Sequence, residues 1–190
     1  MVSANQTTHQ PIVLVRHGES TWNELKLVQG QNNEAQLTAR GRQQANAAVA
    51  SLRAHHFDAI FSSDLSRSLQ TAQVFAQALD LEITTVTALR ERSFGDFEGR
   101  ALSELSSSLS GIADHEVIDD EAHPPGGESL RDVHKRVGEF IETIRDQRRG
   151  ERLLLVTHGG TIHAIRAFCA GLSMQNLDWD RVANCSIWAV

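Results

Sequence analysis

Short apolar segments alternate with longer segments of helical periodicity along this chain, and this alternation restricts the fold more than any other feature. A strand buried on both faces is a short apolar run, whereas an amphipathic helix repeats its apolar residues every three to four positions. Strands that alternate with helices are typical of a mostly parallel sheet covered on both faces. We therefore predict an α/β fold, a three-layer α/β/α sandwich. The predicted strands are Ile12–Val15, Asp58–Phe61, Glu82–Val86, Leu153–Thr157 and Ser186–Val190.

Four helices are predicted between and after these strands. Thr38 is a suitable N-cap for the first, whose apolar positions Ala45, Ala48, Val49 and Leu52 share one face. The second begins near Asp64, the third spans Ser129–Arg149, and the fourth runs from about Gly160 to Ala170.

The length of 190 residues suits a single domain, which we place at residues 1–190. Residues 1–10 are polar and lack the basic start and apolar core of a secretory signal, so they are interpreted as a tail. The stretch from Arg100 to Gly127 is rich in serine and acidic residues. It interrupts the strand–helix alternation, and we expect an excursion over the sheet edge rather than a second domain.

Charge and cysteine content exclude several functional classes. A formal net charge of −6 argues against nucleic-acid and anionic-membrane partners, which select a basic surface. No apolar stretch approaches the roughly 20 residues needed to span a bilayer. The two cysteines, Cys169 and Cys185, are too few for a disulfide framework and are interpreted as buried structural thiols. We expect a cytoplasmic protein, and its oligomeric state is left open.

Two histidines directly follow apolar strands. His17 comes after Val13–Arg16, and His158 comes after Leu153–Thr157. Open α/β sheets bind ligands at the carboxyl ends of their strands, so both histidines should face one crevice.

Two further strand ends contribute charged residues to that edge. Arg67 lies in the first turn of the second predicted helix, where free N–H groups and the helix dipole already favour an anion. Glu91 follows the Glu82–Val86 strand. Together with Arg16, these residues bring two arginines, two histidines and one glutamate to the crevice.

This combination suits phosphoryl transfer through a covalent adduct. A neutral imidazole nitrogen can attack phosphorus without first losing a proton, and two guanidinium groups can hold the equatorial oxygens of the transferred group. A carboxylic acid can then protonate the departing alkoxide.

In this order, the segments resemble those of the histidine phosphatase superfamily, also called the phosphoglycerate mutase-like family, and in particular its small phosphatases. The similarity extends from Val13 to Ser186. It is carried by Arg16-His17-Gly18 with Glu19 to Asn23, by Arg67 within Ser66 to Ala72, by Glu91 within Arg90 to Gly99, by Pro125 to Ser129, and by His158.

The resemblance implies a role for each matching residue. His17 would be the nucleophile, Arg16, Arg67 and His158 would hold the phosphoryl oxygens, and Glu91 would be the general acid and base. Positions that line the phosphate pocket or its rim correspond to Asn23, Gln29, Gly30 and Gly159. Where many relatives carry an Asp and a Pro, this chain has Gln31 to Gln36, a difference at the substrate rim.

The remaining candidates are assigned structural roles. Arg90 and Arg92 are interpreted as ion-pair partners or rim residues, and Asp96 and Glu98 are the alternatives to Glu91. His17 is expected to face solvent. No metal site is expected, since no histidine pair has the spacing of a zinc motif. The histidines given structural roles are His9, His55, His56, His115, His123, His134 and His163.

The predicted function is a metal-independent phosphatase acting on small-molecule phosphomonoesters, with no cofactor. One alternative is a phosphoglycerate mutase, although the stretch from Glu91 to His158 is too short for the extra lid segments that such mutases carry there. The other is a catalytically inactive binding protein on the same fold. The sequence does not choose among sugar phosphates, phosphoglycerates, phosphoserine, ribazole phosphate or broad specificity.

Overall fold

The computed structural model describes residues 10–104, 119–176 and 179–190. The predicted elements are found within one or two residues of their expected ends. The strands are β1 Val13–Arg16, β2 Ala59–Ser62, β3 Ile83–Thr85, β4 Leu153–Thr157 and β5 Ile187–Ala189, and the main helices are α1 Thr21–Glu24, α2 Ala39–Arg53, α3 Ser66–Leu79, α4 Leu130–Gln147 and α5 Gly159–Ala170.

The five strands form one sheet in the order β3-β2-β4-β1-β5. The first four are parallel, and β5 pairs antiparallel to β1. Arg16 lies opposite Thr157 in the register of β1 and β4. The residues that follow these two strands therefore begin at the same height on the carboxyl edge of the sheet.

Helices cover both faces of the sheet, which confirms the predicted three-layer sandwich. Successive side chains of a strand point to opposite faces, so β1 and β4 contribute to two cores. Leu14 and Leu155 pack under α4 and α5, whereas Val15 and Val156 pack against residues of α2 and α3.

Local signals set the starts of the long helices. The side chain of Thr38 accepts the backbone N–H of Gly41 at the start of α2. Ser129 and Asp132 form a reciprocal capping box at the start of α4, which satisfies two of the free N–H groups there. Helix α3 begins at Ser66 rather than at Asp64, after Leu65 in an extended conformation.

The described ends of the predicted excursion lie beside two loops, the one between β1 and α2 and the one that follows β3. Val28 donates its N–H to Arg100, and Asp96 donates its N–H to Pro125. Residues 105–118 of the excursion lie outside the described chain, as do His9, His115 and most of the predicted tail.

Both cysteines, interpreted from the sequence as buried structural thiols, are only partly buried. Cys169 accepts a hydrogen bond from Arg145 at 3.3 Å. Burial raises the pKa of the Cys185 thiol to about 12, so this sulfur stays protonated near neutral pH. Within residues 10–104, 119–176 and 179–190, no helix is long and apolar enough to cross a bilayer.

Candidate active site

The carboxyl edge of the sheet brings His17 and His158 together. His17 directly follows β1 and His158 directly follows β4, the two neighbouring parallel strands. Their ring centroids are 5.1 Å apart, and the ring planes are inclined by 59°. The two rings therefore lie side by side at this edge of the sheet.

The hydrogen bonding of His17 identifies its reactive nitrogen. Its Nδ1 lies 2.7 Å from the carbonyl oxygen of Gly18, and a carbonyl can only accept, so Nδ1 carries the proton. In the neutral ring, the lone pair is then on Nε2. Burial lowers the pKa of His17 well below its usual value, and the charges of Arg67 and Arg16 lower it further. The ring is consequently neutral at pH 7.

One expectation about His17 is wrong. The residue is only 2% exposed rather than solvent-facing. The antiparallel strand β5 and the residues before it cover this side of β1, and Asn184 donates to the His17 carbonyl oxygen at 3.0 Å.

His158 is completely buried, and one of its nitrogens is engaged. Its Nε2 lies 2.9 Å from the hydroxyl oxygen of Ser63, which follows β2. Its Nδ1 is buried without a partner in the described part of the chain. Burial lowers the pKa of His158 well below its usual value, and neighbouring Arg67 and His17 add to the effect. Ser63 thus orients the ring toward His17.

Arg67 is a buried cation at the start of α3. It is 1% exposed, and it donates from Nη1 to Asn32 O at 3.0 Å and from Nη2 to Gly30 O at 2.7 Å. Its buried Nε meets no acceptor among the described residues. Burial lowers the pKa of Arg67 to about 10. A cation in the first turn of a helix opposes the helix dipole, so this position favours an anion alongside it.

Arg16, the last residue of β1, approaches from the other side. Its Nη1 donates to the carbonyl oxygen of Val182 at 2.6 Å, while its Nε is buried with no acceptor in the three described ranges. Burial lowers its pKa, and the opposite charge of Glu91 counteracts this effect. A Cβ added at Gly159 would lie 3.8 Å from this Nε, so the start of α5 borders the guanidinium.

The predicted rim residues lie on the loop between β1 and α2. Ser20 is the N-cap of α1, and its side chain and that of Asn23 each accept the other's backbone N–H. The Ser20 hydroxyl is also 2.8 Å from the side-chain oxygen of Gln29. Gly30 has a φ of +48°, and a Cβ there would collide with the Glu98 carboxylate. This glycine is therefore required for the turn that presents its carbonyl oxygen to Arg67.

Glu91 reaches the site from the loop after β3. Its Oε1 accepts the backbone N–H of Arg92 at 2.9 Å, and its Oε2 accepts that of Gly160 at 3.1 Å. A Cβ at position 160 would lie 2.5 Å from Glu91 Oε1. The absence of a side chain at Gly160 thus makes room for the carboxylate at the N-terminus of α5.

The two alternative acids are placed differently. Glu98 accepts the backbone N–H groups of Gln31 and Phe94 through its Oε1, at 2.9 and 3.0 Å, so it braces two loops. Asp96 is exposed. Glu91 interacts electrostatically with both Arg16 and Arg67, and its position agrees best with the predicted acid.

Arg90 and Arg92, on either side of Glu91, have different kinds of partner. Arg90 forms a two-pronged ion pair with Asp64 at 2.7 and 2.5 Å, as predicted. Arg92 is 4% exposed and instead donates to the carbonyl oxygens of Glu128 and Ala122. It therefore anchors the segment before α4, and among the described residues it forms no ion pair, in contrast to the prediction.

The remaining described histidines lie apart from this crevice or on the surface. His163 donates from Nε2 to Asp180 O at 2.9 Å and packs against Trp179, and His134 packs against Phe168. His123 pairs with Asp132, and His56 pairs with Asp58. Among the residues that the structure describes, no three His, Cys, Asp or Glu side chains cluster as metal ligands.

Sequence reasoning assigned no role to several residues beside the site. Ser63 and Asn184 contact the two histidines, and neither carries a local signal beyond its place after a strand or before one. Arg136 and Glu128 lie behind Glu91. Only the packing of distant segments brings these side chains to the crevice.

This geometry agrees with a comparison against known protein families. The model of the histidine phosphatase superfamily (branch 1) matches residues 12–190. The chain belongs to the histidine phosphatase superfamily. Within it, a protein of Escherichia coli named "Probable phosphoglycerate mutase GpmB" is 34% identical over 184 residues, which cover 93% of this chain and 82% of that protein.

Solved structures of this superfamily are also similar. A mycobacterial glucosyl-3-phosphoglycerate phosphatase has a TM-score of 0.83 and 29% identity, covering 95% of this chain and 89% of the other. A phosphoserine phosphatase mutant of Entamoeba histolytica, in complex with phosphoserine, has a TM-score of 0.83 and 27% identity with the same coverage. Phosphatases with the same fold thus support a phosphoric monoester hydrolase.

Proposed function

We propose that this protein is a single-domain phosphatase, residues 1–190, that hydrolyses small-molecule phosphomonoesters through a phosphohistidine intermediate on His17. One observation carries the proposal. Three buried nitrogens have no partner in the described chain: Arg16 Nε, Arg67 Nε and His158 Nδ1. They belong to neighbours of His17, since the His158 ring is 5.1 Å away and the charges of Arg16 and Arg67 act on His17. Buried polar atoms are rarely left unpaired, and this group suits an anion with several oxygens.

In the first half-reaction, the lone pair of His17 Nε2 attacks phosphorus while the bond to the substrate oxygen breaks. Protonated Glu91 transfers its proton to the leaving oxygen, so an alcohol departs. Arg16, Arg67 and His158 hold the phosphoryl oxygens, with His158 donating from Nδ1 while Ser63 donates to its Nε2. The ring of His17 becomes positively charged, and the Gly18 carbonyl that accepts from Nδ1 stabilises this charge.

In the second half-reaction, water attacks the phosphoryl group on His17. Glu91, now a carboxylate, accepts a proton from that water, and the phosphorus–nitrogen bond breaks. The electron pair of this bond returns to Nε2, inorganic phosphate leaves, and the starting enzyme is restored. Asn23, Gln29, Gly30 and Gly159 line the pocket around the phosphoryl group.

The substrate is proposed to be a small phosphomonoester because the two phosphatases described above are named for such compounds. Turnover of a panel of sugar phosphates, phosphoglycerates, phosphoserine and ribazole phosphate would rank the candidates by kcat/KM. We further propose that the enzyme acts in the cytoplasm and uses neither a metal ion nor another cofactor. Exhaustive chelation should leave turnover unchanged, and recovery that required one added metal would contradict this.

A second candidate function is phosphoglycerate mutase, which the 34% identity to the E. coli relative favours. A mutase returns the phosphoryl group to its substrate, whereas a phosphatase releases it to water. Incubation with 3-phosphoglycerate distinguishes the two, because a mutase forms 2-phosphoglycerate without an equal amount of free phosphate. We expect free phosphate. An inactive binding protein would show neither product.

The intermediate itself provides the direct test. Brief incubation with substrate followed by a denaturing quench should leave phosphate on His17 that is labile in acid and stable in alkali. His17→Asn should retain the fold, carry no label and lose at least about 10⁴-fold in turnover. Acid-stable label on a serine, or undiminished turnover by the variant, would refute the mechanism.

A further inference from the structure

Behind Glu91, the side chain of Arg136 reaches from α4 to the loop that carries the acid. Its Nη1 donates to Ala88 O at 2.7 Å, and its Nη2 donates to Glu91 O at 3.0 Å. The same guanidinium pairs with Glu128, at 2.8 Å from Nε and 3.1 Å from Nη2. All three of its nitrogens are therefore engaged, and two of the contacts hold the main chain on either side of Arg90.

Glu128 extends this contact beyond Glu91. Its Oε2 accepts the backbone N–H of Ser93 at 2.8 Å, and its own N–H donates to the Ser93 carbonyl at 2.9 Å. Arg136 and Glu128 therefore form hydrogen bonds with the loop backbone on both sides of Glu91. Both side chains are largely buried, with exposed fractions of 20% and 23%.

Gln31 links Arg136 and Glu128 to the proposed phosphate pocket, which contains Arg16, Arg67 and His158. Its Nε2 donates to Glu128 Oε2 at 3.0 Å and to Glu91 O at 3.1 Å. The preceding residue, Gly30, accepts from Arg67 through its carbonyl. A shift of the acid loop is thereby coupled to the loop that holds Arg67.

The carboxylate of Glu91 needs this support because backbone N–H groups alone hold it among the described residues. One of these, that of Arg92, belongs to the same loop. The position of the carboxylate relative to His17 therefore follows the position of the backbone from Leu89 to Ser93. A misplacement of about 1 Å can cost about 10²-fold in rate.

We propose that Arg136 and Glu128 are positioning residues that hold Glu91 in place for proton transfer, with Gln31 coupling them to the phosphate pocket. This inference rests on the proposed function. A purely structural role for the pair would lower stability and affect every substrate equally. A positioning role slows the transfer of the phosphoryl group to His17 mainly for substrates whose leaving group needs a proton from Glu91.

The test compares an alkyl phosphate, whose leaving group needs protonation, with an aryl phosphate of an acidic phenol, whose leaving group scarcely does. Arg136→Met should lower kcat for the alkyl substrate by about 10²-fold with little change in KM. The burst of phenol from the aryl substrate should change less than about threefold. Arg136→Lys retains the charge but not the four hydrogen bonds, and should lose part of the alkyl rate.

Arg131→Met is the matched control, since Arg131 pairs with Glu121 on the exposed side of the same helix. It should leave both substrates unaffected. If Arg136→Met does not fold, Gln31→Ala should give a smaller loss of the same selectivity. Equal losses for the two substrates in the folded variants would overturn the proposal.

A double-mutant cycle separates failure of this inference from failure of the proposed function. Once Glu91→Gln has removed the acid, adding Arg136→Met should cost little more of the alkyl rate, because both changes remove the same step. Fully additive losses would refute positioning while leaving Glu91 as the acid. If Glu91→Gln itself shows no preference for aryl phosphates, the proposed function fails instead.

Discussion

The proposed phosphate pocket contains Arg16, Arg67 and His158, and the acid loop spans Leu89 to Ser93. The two regions use charged and polar side chains in opposite ways. In the pocket, Arg16, Arg67 and His158 each have a buried nitrogen with no partner in the described chain. In the acid loop, Arg136 and Glu128 use their polar atoms on one another and on the backbone. The pocket therefore has unpaired donors for an anion, whereas the loop already has its own partners and serves to hold Glu91.

This difference predicts how substitutions in the two regions will behave. Removing a donor from the pocket weakens binding of the phosphoryl group whatever the leaving group is. Disturbing the acid loop affects the step that needs a proton, so the leaving group decides the size of the loss. The ratio of alkyl to aryl rates in the first step, the transfer of the phosphoryl group to His17, is the measurement that separates the regions.

The largest effect in this comparison is expected from Glu91→Gln, which keeps size and hydrogen-bonding reach but removes the transferable proton. Turnover of an alkyl phosphate should fall by about 10²–10⁴-fold. The first step with an aryl phosphate should be largely spared, and the second should still lack its base. Rapid-quench measurements should then show a burst of phenol followed by accumulated phospho-His17. Equal losses without a burst would transfer the acid role to Asp96 or Glu98.

Arg67→Met tests the pocket side of the comparison. Removal of one preorganised cation should cost about 10²–10³-fold in turnover, by analogy with the loss of an oxyanion-hole donor. The loss should be nearly equal for alkyl and aryl phosphates, because Arg67 holds the transferred group and not the leaving group. Inorganic phosphate should also raise the Tm of the variant less than that of the wild type. A loss of turnover confined to alkyl phosphates would contradict the proposed difference between the pocket and the acid loop.

Gly160→Ala displaces the acid without touching the pocket donors. A Cβ at this position would lie 2.5 Å from Glu91 Oε1, the far end of a flexible side chain, so the carboxylate should move and the fold should remain. We expect roughly tenfold lower turnover of alkyl phosphates, from a displacement smaller than 1 Å. Thermal unfolding should show an unchanged or slightly higher Tm, since alanine favours a helix over glycine. A large fall in Tm would mean that the crowding distorts α5 instead.

The smallest effect concerns stability against pH. Burial lowers the pKa values of His17 and His158 in the folded protein, so the unfolded chain binds more protons near its ordinary histidine pKa. The contribution of these two histidines to the free energy of unfolding should be complete above about pH 6.5. Below that, the free energy of unfolding should fall with pH by up to about 1.4 kcal/mol per pH unit for each histidine.

Urea denaturation at pH 7.5, 6.5 and 5.5 measures this slope. His158→Asn should show a shallower slope than the wild type, because one buried neutral histidine is gone. The buried His163, whose pKa is also lowered, contributes to both proteins and cancels in the comparison. An unchanged slope would mean that His158 is not one of the groups that acid protonates in this range.

The order of elements and the convergence of the site were predictable because they depend on repeating patterns. Apolar runs and helical periodicity identify β1, β4 and α5, and parallel strands end at one edge of the sheet. The convergence of Arg16, His17 and His158 follows from that rule together with their places after the strands. Glu91 and Arg67 follow in the same way, although the resemblance to a family was needed to choose Glu91 over Glu98.

The tertiary structure alone decided how these groups are held. The contact of Ser63 with His158, the bond from Asn184 to His17 and the reach of Arg136 to Glu91 join segments far apart in the chain. Such contacts form between loops, where backbone paths follow no period and side chains have several rotamers. A sequence pattern can place a residue at the end of a strand. Which atom it contacts there depends on the packing of every neighbouring segment.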